Sequence, residues 1–296
     1  MEDASYPARP VLGRLLALEV RPTRPLTLIG PAAAALCGAL ASAGLDGRAH
    51  AWLVLILSIL LCDPLLGAWR ALWLHADWRV ALPRNLASAR IWFNLPDDAP
   101  TSPIARVGRT LTRRLAFARN VIWPLIDSEI IGMLIAGILA LCLAALFGAA
   151  TLGLVVLALV LALLEGQVSA RLALSLRALI EMALPWLIAQ SAFGSFSLHA
   201  LFFVLLFTLV YRALLGLLEE RSERWQAWNN LPQVVIALAL FVGHAPIGAA
   251  VVALGLLAQL LWQMRWRTER VARAYVHRIQ SYVLVAMLVV SISLWM

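Results

Sequence analysis

From Ile130 to Leu164 the chain runs for 35 residues without a charged side chain. As one helix rising about 1.5 Å per residue, this run would far exceed a hydrocarbon core about 30 Å thick. It is predicted to fold as a hairpin of two membrane helices, with the small and polar stretch FGAATLG around Gly148 as the turn. The same logic divides Met182 to Tyr211 at QSAFGSFS, and Trp225 to Met264 at GHAPIG, where Pro246 and two glycines interrupt the helix. Upstream, PLTLIGPAAAALCGALASAG and HAWLVLILSILLCDPLLGAW pair around Asp46 and Gly47, and a last span covers about 281–296. The expected fold is all-α: one membrane domain, 1–296, built as a polytopic bundle of about nine transmembrane helices.

Charge placement gives the orientation. All 24 basic residues are arginine, and cytoplasmic segments should retain most of them. With the N-terminus cytoplasmic, segments 1–24, 70–129, 165–177, 212–224 and 265–278 hold 4, 9, 2, 3 and 5 arginines, leaving only Arg48 outside. The two principal cytoplasmic loops are then about 70–129 and 212–230. This retention also accounts for the net charge of +8, so nucleic acid is not an expected partner. The N-terminal stretch carries scattered charges and does not read as a cleaved signal peptide, so the first span is expected to stay in the mature protein. Cys37, Cys62 and Cys142 lie far apart in apolar runs, without the pairing of a zinc or redox motif, and are expected to be small buried side chains.

Within the first large loop, TSPIARVGRTLTRRLAFAR has Ser102 placed as an N-cap, Pro103 at the first helical position and Ile104, Val107, Leu111, Leu115 and Ala118 at helical spacing. This pattern suits a helix at the membrane interface, or equally one packed over the loop. Asp63, beside Pro64, needs a partner inside the membrane, and Arg70 two turns on is a candidate. Arg177 and Glu181, four apart, are expected to neutralise each other. Asp127 and Glu129 are expected to precede the third helix and favour its positive end. His199, His244, Gln190, Gln259 and Gln263 share no metal spacing, and most are expected to be interhelical hydrogen-bond partners. Trp69, Trp73, Trp78, Trp123, Trp262 and Trp266 are expected to form an aromatic belt near the interfaces.

Nine helices in about 300 residues, an early RPTRP, large loops after helices two and six, and the stretch RNLASARI together resemble the UbiA superfamily of intramembrane prenyltransferases. In RNLASARI, Arg84, Leu86, Ala87, Ser88, Arg90 and Ile91 match that family's segment after its first aspartate-rich motif, while Asn85 and Ala89 depart from it. The motif itself is degraded. With Asp77 in its last position, the earlier ones fall on Trp69, Arg70 and Trp73. The family's second acidic pair is similar to Glu219 and Glu223 in YRALLGLLEERSERW, a spacing that puts both on one helix face and is equally that of a solvated charged face.

The resemblance implies a bacterial inner-membrane protein that transfers a polyprenyl group from its diphosphate to an acceptor. It implies magnesium on Asp77, Glu219 and Glu223, the catalytic set, because hard cations take several oxygen ligands. Arg84, Arg90 and Arg70 would meet the substrate diphosphate. The degraded motif keeps a second expectation open: a non-catalytic UbiA-like membrane protein that binds a lipid, quinone or pigment, or serves as a subunit of a membrane complex.

Overall fold

The computed structural model describes residues 26–42, 44–45, 47–74, 123–219, 224–265 and 272–295. The described residues form nine helices and no strand. These are α1 (Pro31–Ala41), α2 (Ala49–Leu74), α3 (Trp123–Phe147), α4 (Ala149–Glu165), α5 (Ala170–Ala192), α6 (Leu198–Glu219), α7 (Arg224–Val242), α8 (Pro246–Arg265) and α9 (Ala272–Trp295). Five of them, α2, α5, α6, α8 and α9, are long and apolar enough to cross a membrane, and shorter apolar helices lie in α1, α3 and α4. Leu146, Leu198, Leu238 and Ile247 point outward with more than half of their surface exposed, which suits lipid rather than water. The chain is an integral membrane protein with an all-helical bundle.

The hairpin turns lie where the sequence places them. Gly148 separates α3 from α4 with φ 116, a backbone angle that favours glycine because a Cβ would clash there. The α5–α6 turn passes through Gly194, the α7–α8 turn through His244 and the α1–α2 turn through Gly47. Helix ends differ more. Asp127 and Glu129 lie within α3, which starts at Trp123, and α9 starts at Ala272, well before the expected 281. Helical structure also extends over 70–74, 123–129, 212–219 and 224–230, inside the segments assigned to cytoplasmic loops.

Helix α5 stands at the centre. On one side it packs against α2 and α4, around Leu61, Ala140, Val155 and Ile188; on the other it meets α1 and α6, which pack in turn against α9, around Trp186, Phe207 and Met287. Gly38 lets α1 lie directly on it, since a Cβ there would fall 2.2 Å from the Trp186 carbonyl oxygen. Both α2 and α5 contain a wide π turn, at Leu61–Leu65 and Leu179–Ala183. Proline accounts for both: Pro64 sits inside the first, and Pro185, just after the second, cannot donate to the carbonyl of Glu181. The two irregular helices touch where the Cys62 thiol donates to the Pro185 carbonyl at 3.8 Å. As expected, Cys37 and Cys62 are buried, but Cys142 is exposed on the outer face of α3. Trp69 is not part of an interfacial belt; it is buried against Gly137 and Ile180.

Candidate functional site

Four helices bring charge together at one end of the bundle. Arg70, one turn before the end of α2, donates through Nε and Nη2 to the two carboxylate oxygens of Glu165, each at 2.7 Å, while Nη1 donates to Glu181 Oε1. Glu181 Oε2 accepts from the Tyr211 hydroxyl of α6 and, at 3.4 Å, from Arg177 Nε one turn earlier in α5. Arg177 Nη1 reaches Glu219 Oε1 at 3.8 Å. The chain of contacts thus runs from a Glu181 side chain only 3% exposed to a Glu219 side chain 49% exposed.

The sequence explains this convergence. Glu165 ends α4, where its charge opposes the helix dipole and calls for a cation. The π turn of α5 carries Glu181, and the helix frees that residue's carbonyl but buries its side chain. A buried carboxylate is tolerated only with its oxygens satisfied. Both oxygens of both glutamates have donors here, and Arg70 and Arg177 balance their two charges. The expected Arg177–Glu181 pair is present, whereas Arg70 serves Glu165 and Glu181 rather than Asp63.

Of the candidate site residues, Arg70 lies in this buried cluster and Glu219 at its outer edge. Asp77, Glu223, Arg84 and Arg90 lie outside the described residues, as does the segment 103–118 with its helical stripe. The described part of α2 stops at Leu74, four residues after Arg70 and three before Asp77 in the chain, and that of α6 stops at Glu219, four before Glu223. Among the described residues, no three His, Cys, Asp or Glu side chains stand together as a metal site. Glu165 and Tyr211 were not singled out from sequence. Glu165 had a signal, as the charge that closes the 35-residue apolar run at a helix C-terminus; Tyr211 had none.

A second polar cluster joins α7, α8 and α9 and carries no charge. Gln233 and Gln259 exchange amide hydrogen bonds at 3.0 and 2.9 Å, and Asn230 and Gln263 do the same at 3.0 Å in each direction. Gln263 also donates to the Tyr275 hydroxyl at 2.6 Å, and Asn229 donates to Gln259. The two reciprocal pairs sit one turn apart and lock the register of the α7–α8 hairpin. Gln259 and Gln263 are therefore interhelical partners as expected. Gln190 is not: it is fully buried, and its amide makes no hydrogen bond to the described residues.

The chain matches no protein-family model, no curated protein and no solved structure.

Proposed function

We propose that the protein is a UbiA-like membrane prenyltransferase of a bacterial inner membrane, crossing it nine times from a cytoplasmic N-terminus and transferring a polyprenyl group from its diphosphate to an acceptor. The observation that supports this most is the ionic chain Arg70–Glu181–Arg177–Glu219, because it fastens together the two helix ends from which the Asp77 and Glu223 segments depart. A prenyl diphosphate needs an apolar path for its tail and a charged end for its head. The bundle has outward-facing apolar helices, and this polar end lies on the side that the arginine distribution makes cytoplasmic.

In this reading Asp77, Glu219 and Glu223 would hold magnesium. Glu219 fits: it is half exposed and has only a long contact to Arg177, so its oxygens can face a cation. Bound magnesium would offset the charge that builds on the diphosphate as it departs. Arg84 and Arg90 would take phosphate oxygens. Arg70 is engaged by two carboxylates, and its role would be to position α4 and α5 beneath the site.

One observation favours a second reading. Trp69, Arg70 and Trp73 stand where the resemblance puts carboxylates, and Arg70 is committed to Glu165 and Glu181. A non-catalytic protein that binds a lipid, quinone or pigment as a membrane subunit would have this character. Binding of farnesyl diphosphate to purified protein, with and without magnesium, tests the proposal. Magnesium should tighten binding, and Asp77→Asn and Glu219→Gln should each weaken it about tenfold, or about 1.4 kcal/mol. Binding that is absent, or indifferent to magnesium and both substitutions, would leave the non-catalytic reading.

A further inference from the structure

Trp186 and Gln190 lie one turn apart on the half of α5 that follows its π turn, and both side chains are fully buried. Among the described residues, Gln190 Oε1, Gln190 Nε2 and the indole Nε1 of Trp186 have no hydrogen-bond partner. These atoms belong to one place. A helical side chain leans back over the turn before its own Cα, so the Gln190 amide extends toward Trp186. An unpaired amide is costly in a protein interior, and a hydrocarbon core holds no solvent to compensate it.

The neighbours along α5 are aromatic. The Trp186 ring stacks on Phe207 of α6 with centroids 5.9 Å apart, and Gly38 brings α1 directly against the Trp186 backbone. One turn after Gln190, the Phe193 ring rests where a Cβ at Gly44 would come within 2.4 Å of it. Buried polar groups that lack a protein partner are regularly satisfied by a small enclosed group, and the atoms on offer say which kind fits here. Gln190 presents two donors and an acceptor, and Trp186 one donor more. An anion would face the Oε1 lone pairs, a cation would face three N–H groups, and a carbonyl would leave Oε1 unpaired. A hydroxyl accepts from Nε2, donates to Oε1 and takes the indole N–H on its second lone pair.

We propose that Gln190 and Trp186 bind a neutral hydroxyl group enclosed in the outer half of α5. Either the head of an alcohol-bearing amphiphile or a single water molecule can supply that group. The site goes beyond the prenyl reading, since nine residues, about 13 Å of helix, separate Gln190 from Glu181 and the ionic cluster.

The test uses the full chain in detergent. Gln190→Met keeps the length of the side chain and removes the amide, so it evicts the hydroxyl and strands the Trp186 N–H; it should lower the unfolding temperature by about 2–4 °C. Trp186→Phe should cost less in the Gln190→Met background than in wild type, because the indole then has no partner left to lose. Farnesol, and squalene, which lacks an oxygen, tell the sources apart. If farnesol raises the unfolding temperature of wild type but not of Gln190→Met, and squalene raises neither, the hydroxyl belongs to an amphiphile. If neither probe acts while the two substitutions couple, it belongs to an enclosed water. Should Gln190→Met fail to fold, the Trp186 indole N–H of wild type carries the test: assigned in a nitrogen–proton correlation spectrum by its loss in Trp186→Phe, it should show a hydrogen-bonded shift. A Gln190→Met protein at least as stable as wild type, with no coupling to Trp186→Phe, overturns the proposal, and so does an unbonded indole shift.

Discussion

The bundle is held by two buried polar clusters that solve one problem by opposite means. On the α2–α4–α5–α6 side, full charges meet: two arginines, two buried glutamates and a tyrosine, drawn from helices as far apart in sequence as Arg70 and Glu181. On the α7–α8–α9 side, neutral amides pair with themselves between helices that are neighbours in the chain. The amide cluster closes on itself, so its chemistry ends in register and packing. The charged cluster ends at a half-exposed carboxylate, Glu219, the last described residue of α6. Buried charge in a membrane protein is expensive and is the stronger pointer to function, and the openness of its outer end is what separates a site from a clasp.

The contrast can be broken at Arg70. Arg70→Gln leaves Glu165 and Glu181 without their shared cation, and should lower stability by about 3–5 kcal/mol, measured by unfolding in detergent. Smaller effects belong to the amides. Gln259→Leu strands Gln233 and Asn229 and should cost about 1–3 kcal/mol, whereas the double substitution Gln233→Leu with Gln259→Leu should recover the part due to Gln233, whose amide is then no longer left half paired, while Asn229 still lacks its Gln259 acceptor. Failure of the double variant to recover would mean that the amides do more than bond each other. Tyr211→Phe removes one interhelical hydrogen bond and should cost about 0.6–1.7 kcal/mol. Glu219→Gln, at a half-exposed carboxylate with a long contact, should change stability by about 0–1 kcal/mol while still weakening diphosphate binding. A large stability loss at Glu219 would make it part of the clasp.

Local signals in the sequence carried the hairpins well. The turns at Gly148, Gly194 and His244 follow from glycine, proline and polar residues inside runs too long for one span. Helix ends were less legible, because α6 continues through Tyr211 and Arg212 and α9 begins among arginines, where packing against neighbours outweighs local polarity. The Arg177–Glu181 pair could be read, being local on one helix. The Arg70–Glu165 pair could not, since 95 residues separate its partners and nothing in either segment points to the other.

The central claim is that the ionic chain holds the Asp77 and Glu223 segments together over one diphosphate site, and the distance between those segments tests it most directly. Spin labels at positions 77 and 223, in protein freed of its three native cysteines, report that distance by pulsed electron resonance. Arg70 of α2 and Tyr211 of α6 bond the two oxygens of the one Glu181 carboxylate, so the two helices converge at this end of the bundle. The account predicts a distribution that shortens and narrows when farnesyl diphosphate and magnesium are added together. A broad, long distribution, unmoved by either or both, would contradict it.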